Sequence, residues 1–441
     1  MNLTLNIFTT LSARVVTLGL ALVSSIVLAR WLGPEGRGVF ALVLLLPGLA
    51  MSLGLLGFDQ ANAVFSGLVP ERRRELFWQS VAIAVGVGCL IALAGIWFVT
   101  LGAPGFKGMI RGPVVLYVLA LASVPARMAA DYWSAILRGM NRIVLLNAVE
   151  VGMKVVALSL LAVFVLWLGF GVTGAVWADF TLAVGTAVVL VVILARLGVG
   201  GRPAIDRALW TRTWEFAFPT YCAGVMTYLN YRVDQFIIAA LLPAEDLGFY
   251  VIAVDLAERL WILTGAVATA LLPHLTNSRD RDPAFVAVVA RHVMLWTGAA
   301  CLLLFVLADQ VVSILYSGAF SPAATALRWL LPGILVLTAG KVVVAEMAAR
   351  ERIRFTVWLS AVSIVVNIVA NFVLIPYMGI SGAALASSMS YSLVSIVVLW
   401  YYLRETRLSW RVLVPRRSDL SAYAAMSRKL GAYSPIRSTN G

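Results

Sequence analysis

The chain has 441 residues, of which 61% are hydrophobic and only 12% charged, where a soluble domain carries about a quarter charged residues. That composition excludes a soluble globular protein and points to an integral membrane protein. The formal net charge of +13 does not make nucleic acid a partner: no aromatic and basic platform accompanies it, and most basic residues lie between apolar runs, where they set membrane orientation.

Apolar runs recur along the chain at about 20 residues, the length that crosses a ~30 Å hydrocarbon core as helix. The alternating runs of about ten that membrane barrels need are absent. The N-terminal MNLTLNIFTTLSAR lacks a basic leader region, so the apolar stretch after it reads as a first span and not as a cleaved signal. About twelve helical spans are predicted, near 8–29, 39–65, 79–101, 113–137, 144–167 and 172–195, then 214–242, 247–272, 286–315, 323–348, 356–375 and 380–403.

The connections set the orientation. ERRRE (71–75), LRGMNR (137–142), GRPAIDRALWTR (201–212), NSRDRD (277–282) and RERIR (350–354) are rich in arginine, and they are alternate loops. The intervening LGFGVTG, LLPAEDLG, LYSGAFSP and YMGISG carry neither Lys nor Arg, and only Arg30, Arg37, Lys107 and Arg111 fall on that side. The positive-inside bias places both termini in the cytoplasm, which requires an even number of spans. The fold class is thus an all-α polytopic membrane protein of two six-helix lobes, at 1–200 and 214–410. A cytoplasmic linker at 201–213 joins them, and a flexible basic tail at 411–441 (Arg416, Arg417, Arg428, Lys429, Arg437) meets anionic lipid heads. No loop is long enough for a catalytic domain outside the membrane.

Cys89, Cys222 and Cys301 lie far apart inside apolar runs and read as packing residues with no disulfide framework. His274 and His292 flank one polar loop, so no metal site is expected. No nucleophile–base constellation, Walker loop, HExxH or G-x-S-x-G occurs. Neither enzyme chemistry nor a cofactor is therefore expected.

Charges inside spans are costly and need a partner, a wet cavity or a function. Arg127, Asp131, Ser134 and Arg138 share one helix face, as do Asn147, Glu150 and Lys154, and as do Ser360, Ser363, Asn367 and Asn371. Three acid–base pairs sit four residues apart: Arg127/Asp131, Glu150/Lys154 and Asp255/Arg259. Local charge neutralisation along one helix accounts for such spacing. It does not explain why Lys154 sits about 15 Å into its span. Arg14, Arg232 and Lys341 have no acid at helical spacing, and Asp234 points to a different side from Arg232. These unpaired bases are candidates for an anion-facing cavity, with snorkelling to the interface as the alternative for Arg14 and Lys341. Pro47, Pro125, Pro219 and Pro332 lie within or near span interiors, where they bend helices for rocking or for packing.

Half of the chain is written twice. SSIVLARWLGPEGRGVFALV (24–43) laid over DQFIIAALLPAEDLGFYVIA (234–253) at an offset of 210 pairs Ala29/Ala239, Leu32/Leu242, Glu35/Glu245 and Gly38/Gly248. The same offset pairs Arg142-Ile143 with Arg352-Ile353, and Gly169 with Gly379, after which the first copy has two extra residues. Duplication in so apolar a chain is the mark of a two-lobed transporter.

ARWLGPEGRGVFALVLLLPGLAMSLGLLGFDQANA resembles the opening of the polysaccharide-export (Wzx-type) flippases of the multidrug/oligosaccharidyl-lipid/polysaccharide exporter superfamily. TYLNYRVDQFIIAALLPAEDLGFYVIA resembles their seventh span and the turn after it. VVSILYSGAFSPAATALRWLLPGILV and NIVANFVLIPYMGISGAALASSMSY resemble the region from the ninth to the twelfth span. The resemblance implies two lobes around a central cavity that opens alternately to each side of a bacterial cytoplasmic membrane. It also implies translocation of a lipid-pyrophosphate-linked oligosaccharide to the outer leaflet for cell-surface polysaccharide synthesis. A cationic cavity suits that cargo, with Arg14, Arg127, Lys154, Arg232, Arg259 and Lys341 as substrate-binding candidates. With no nucleotide motif, energy would come from H+ or Na+, and Asp131, Glu150, Asp234 and Asp255 are the coupling candidates. Membrane lipids and other polysaccharide-assembly proteins are the remaining candidate partners.

Two rivals stay open. A drug or organic-cation antiporter of the same superfamily would need uncompensated acids in the N-terminal lobe, whereas Arg14 sits in the first span and the acids of spans four and five have bases nearby in sequence. A lipid II flippase would carry an arginine-rich, aspartate-bearing first-span pattern, which LSARVVTLGLALVSS does not show. In the 210 register Arg14 falls on Gly224, Arg127 on Leu337, Lys154 on Ile364, Arg232 on Leu22 and Arg259 on Leu49. Glu150 falls on Ser360, Asp234 on Ser24, Asp255 on Leu45, and Asp131 on Lys341. The frame is repeated and the charges are not, so the departures from symmetry mark the expected substrate path.

Overall fold

The computed structural model of the chain describes residues 3–101, 108–261, 283–349 and 353–414. Nine helical segments among them are long and apolar enough to cross a membrane. The first of these, in α1 (Leu3–Gly54), holds two spans, because Gly33 breaks the helix with φ 68° just before Pro34. The second span continues through α2 (Phe58–Leu68). Then come α3 (Arg73–Leu101), α4 (Val114–Ala122) with α5 (Val124–Gly139), α6 (Ile143–Leu161) with a π turn at Ala162–Trp167, and α7 (Gly171–Arg196). The second half runs α8 (Arg207–Leu241), α9 (Ala244–Arg259), α10 (Pro283–Val306) with α11 (Ala308–Tyr316), α12 (Ser321–Ala349), α13 (Ile353–Met378) and α14 (Ile380–Thr406). These elements make twelve rods among the described residues, at the positions expected for the twelve spans. The requirement of length together with apolarity leaves out α8 and α9. α8 is about 52 Å long at 1.5 Å per residue but carries Glu215, Arg232 and Asp234, and α9 is described only from Ala244 to Arg259, the rest of the eighth predicted span at 262–272 lying outside the described residues. The even number of rods puts residue 3 and residue 406 on the same side.

Each half packs chiefly on itself: α1 against α6 and α7, α5 against α2, α3 and α7; then α12 against α14, α10 and α9, and α13 against α14 and α8. The halves meet where α1 lies on α8 and α9, and α2 on α8. The duplication explains how they meet. Gly38 and its repeat mate Gly248 face each other across the seam with no room for a side chain. A Cβ on Gly38 would strike the Ala244 carbonyl, and one on Gly248 would strike the Pro34 carbonyl. Ala244 is itself the repeat mate of Pro34, so the contact is its own mirror in sequence. The other repeated glycines, Gly169 and Gly379, both take positive φ (66° and 56°) to reverse the chain between rods, a conformation that glycine adopts at low cost.

Some expectations change. α8 begins at Arg207, so the 201–213 linker is non-helical only through Asp206, whose carboxylate caps the helix by accepting from the Ala208 and Leu209 amides. Pro125 is not inside a helix but at the first turn of α5, the position where its missing donor costs nothing. Pro47, Pro219 and Pro332 do lie inside helices. Cys301 is buried, but Cys89 is exposed on α3 and packs no core. The tail from 415 onward lies outside the described residues.

Candidate functional site

A wide cavity of about 890 Å³ opens between α1, α2, α5, α6 and α7 of the first half and the middle of α8. α5 turns its whole polar stripe into it: Arg127, Asp131, Ser134 and Arg138. α6 adds Glu150 and Lys154, α2 adds Asp59 and Gln60, and α8 adds Thr220, Tyr221 and Tyr228. The lining thus holds three acids and three bases. The cationic excess expected from the sequence is not present in this lining.

The charge pairs differ from those that i, i+4 spacing suggests. Arg127 bonds to Asp179 of α7, and its Nε donates to Ser123 Oγ at 2.8 Å; it does not pair with Asp131. Glu150 and Lys154 share the cavity without an ion pair between them. Asp255 takes Arg37 at 3.1 Å and the Ser25 hydroxyl at 3.1 Å, and Arg259 instead donates to the Leu18 carbonyl at 3.4 Å. Arg232, unpaired by spacing, reaches one rod over and grips Glu258 with both terminal nitrogens, at 2.9 and 3.1 Å. Each helix face therefore presents its charge to a neighbouring rod and not along its own axis, because the partners lie where rods cross.

Asp234 does point away from Arg232. Its carboxylate is buried and accepts from the Tyr250 hydroxyl, from Ser387 Oγ at 2.9 Å and from the Gln235 amide at 2.7 Å. Beside it Asn371 Nδ2 donates to Asn367 Oδ1 at 2.8 Å, and Asn371 Oδ1 is buried without a partner. This is an oxygen-rich cluster around one carboxylate between α8, α9, α13 and α14. No group of three His, Cys, Asp or Glu side chains that could hold a metal occurs among the described residues.

A second, smaller cavity of about 170 Å³ lies in the second half and contains Lys341. Its ammonium stands 3.5 Å from the Trp261 ring centroid and 5.2 Å from that of Tyr231.

Of the ten candidates, the large cavity gathers Arg127, Asp131, Glu150 and Lys154. Lys341 lines the small cavity, Arg14 is exposed, and Arg232, Asp234, Asp255 and Arg259 line neither. Sequence reasoning passed over Asp59, Asp179, Glu258 and Arg37. Asp179 is a lone acid in an otherwise apolar sixth span, the signal that could have found it. Asp59 follows a left-handed Gly57 at the start of α2 and is legible only once that break is known.

Fold and cavity define a polytopic all-α membrane protein of two packed helical halves, with a charged cavity in the first. The family described as polysaccharide biosynthesis protein matches residues 3–278, and the chain belongs to that family. It is 22% identical over 402 residues to a putative O-antigen transporter of Shigella flexneri, covering 86% of this chain and 92% of that one. It is 23% identical over 180 residues to a probable low-salt glycan biosynthesis flippase of Haloferax volcanii, covering 40% and 38%. In fold it is similar to the lipid II flippase MurJ in an inward closed conformation, with a TM-score of 0.76 at 12% identity over 99% of this chain and 94% of that one. It is also similar to an inward-facing MATE-family multidrug resistance transporter of the MOP superfamily, with a TM-score of 0.68 at 17% identity, covering 89% and 94%.

Proposed function

We propose that the protein is a transporter, not an enzyme, and that it moves a lipid-pyrophosphate-linked oligosaccharide from the cytoplasmic to the outer leaflet of a bacterial cytoplasmic membrane by alternating access. The observation that carries this reading is the roughly 890 Å³ cavity with charged and hydroxylated walls inside an apolar lobe. A glycan head group needs acceptors and donors for its hydroxyls, and its pyrophosphate needs cations. Asp59, Glu150, Gln60 and Tyr221 supply the first, and Arg138 and Lys154 the second. The apolar chain of the substrate stays in lipid. Arg127 is held by Asp179 and positions the cavity wall. The family match and the transporter and flippase relatives support the same reading. On this proposal the close approach of Gly38 and Gly248 is the outer closure and belongs to the inward state.

Ion coupling belongs, on this proposal, to the buried Asp234 cluster, whose carboxylate, amide and hydroxyl oxygens suit Na+ or a proton. Asp255, whose carboxylate is paired with Arg37, is assigned no coupling role on this proposal.

Reconstitution in vesicles with a labelled lipid-linked oligosaccharide tests the reading, with a cationic dye in parallel. Lys154→Ala inserts normally and lowers glycan translocation at least about 10-fold, since a charge-assisted hydrogen bond is worth ~1.5–3 kcal/mol. Unchanged translocation removes Lys154 from the site. One observation favours the cation-antiporter alternative. Neither Asp131 nor Glu150 has a basic group within ion-pair distance among the described residues, so the pairing along each helix that argued against cation export is absent, although Arg127, Arg138 and Lys154 share the cavity with them. Dye export without glycan translocation would establish that alternative.

A further inference from the structure

Two of the four bases that the sequence places on the outer side, Arg30 and Arg37, both on α1, reach across the seam into the second half. Arg37 Nη2 donates to Asp255 Oδ2 of α9 at 3.1 Å. Arg30 Nε donates to the Leu315 carbonyl at 2.9 Å, and its Nη2 to the Ile314 carbonyl. Both carbonyls belong to the last turn of α11, where carbonyls lack helical partners and a cation is favoured. Asp255 is held a second time from the first half, by Ser25 Oγ at 3.1 Å. One carboxylate of the second half is thus gripped from both spans of α1, and the end of α11 is gripped beside it.

Packing alone does not require these charges. In the 210 register Ser25 falls on Gln235, Arg30 on Ala240, Arg37 on Leu247 and Asp255 on Leu45. The contact of Gly38 with Gly248 is the same in both copies of the repeat, whereas the charged contact exists in one orientation only. Ser25 lies eight residues before Gly33, about 12 Å along the helix at 1.5 Å per residue, a depth at which a charge is costly. Arg37 is only 7% exposed. Set against apolar side chains of similar volume, a buried ion pair adds no dependable stability to a closed contact. It does change the cost of opening. An apolar seam that parts into water loses about 25 cal/mol for each Å² it wets, whereas Arg37 and Asp255 exchange one another for water that solvates both. Such a seam can part into water and close again in one register, since few arrangements let the carboxylate accept from Ser25 and Arg37 together.

We infer that Arg37 and Arg30 form a reversible latch between the two halves. It is made when the outer side is closed, breaks in every cycle, and sets by its strength how often that side opens. The latch rests on the transport reading only in requiring alternating access, and it does not depend on the cargo.

The experiment uses the full chain in oriented membrane vesicles without substrate. A single cysteine replaces Met51, which lines the large cavity, in a background lacking the three native cysteines. A membrane-impermeant maleimide is added outside or enclosed inside. Arg37→Gln and Asp255→Asn each raise labelling from outside about 10-fold, within the usual range of a coupling between two states, and lower labelling from inside. General loosening of the fold raises both and overturns the latch. The double variant labels from outside no more than the more open single one, because the two charges act as a unit; a multiplicative effect overturns the pairing. Arg30→Gln, at the exposed rim, gives a smaller rise in the same direction and carries the test if the Arg37 variant fails to assemble. Wild-type labelling of Arg30→Gln and Asp255→Asn, with glycan translocation intact, overturns the latch and leaves the transport reading standing. Dye export without glycan translocation by wild type overturns the cargo assigned above and leaves the latch standing.

Discussion

Adding one methyl group at the glycine seam should drive the transporter toward its outward-open state. A Cβ on Gly248 would lie 3.0 Å from the Pro34 carbonyl carbon and 3.1 Å from the Gly38 nitrogen, with the Pro34 oxygen nearer still. A Cβ on Gly38 would lie 3.0 Å from the Gly248 nitrogen and strike the Ala244 carbonyl. All of these neighbours are backbone and cannot swing aside, and carbon contacts are most favourable at ~3.5–4.0 Å. The rods must move apart, and overpacking of this kind costs ~1–3 kcal/mol. The cost falls only on the state in which the seam is closed, so Gly38→Ala or Gly248→Ala shifts the equilibrium by about 5- to 150-fold toward the open seam. A single cysteine at Met51, which lines the large cavity, reports the shift in a background lacking Cys89, Cys222 and Cys301. Its labelling by a membrane-impermeant maleimide added outside should rise in both variants. Gly19→Ala, where a Cβ meets nothing within 4 Å, is the control and should label as wild type. If both seam variants label at the wild-type rate, the glycine contact is not the outer closure.

Arg232→Met alone should lower the thermal stability of the purified protein by leaving Glu258 unpaired beside apolar rods. Adding Glu258→Leu should recover most of the loss, with a coupling of ~0.5–3 kcal/mol in the double-mutant cycle; additive effects would contradict the bidentate pair. Asp206, just before α8, is held below the usual carboxylate range by the Leu209 and Ala208 amides it caps, and by Arg72. Its folded-state pKa being depressed, its contribution is present above the unfolded value and is lost as pH falls through the folded one. Protection of the Ala208 and Leu209 amides from hydrogen exchange, taken relative to the intrinsic rate at each pH, should therefore hold from neutral pH down through the ordinary carboxylate range and fall only below it. Asp206→Asn should remove that acid-side step.

Much of the architecture was legible because it follows from local and repeated information. Span length and hydropathy are properties of contiguous residues, and ten of the twelve rods needed nothing more than an apolar stretch between breakers. The polar stripes of α5 and α6 were legible for the same reason, since residues at i, i+4 and i+7 share a face wherever the helix goes. The partners of those stripes were not. Arg127 finds Asp179 across 52 positions of chain, Arg37 finds Asp255 across 218, and Arg232 finds Glu258 across 26. Helical spacing offers only partners on the same rod, and in each case a charge on a crossing rod lay closer.

The sequence by itself determined that this is a duplicated, all-helical membrane protein with arginine-rich loops on one side, because composition, periodicity and internal register are readable without knowing any contact. Tertiary structure decided which charges face the cavity and which neutralise one another, and that the repeated glycines at 38 and 248 meet face to face. It also decided that a wide cavity of mixed charge lies against the first half and a narrow one with a single lysine in the second. Those outcomes depend on where rods cross, and in a bilayer that geometry is set by close backbone approach at small residues and by satisfying every buried charge, not by the order of residues along any one helix.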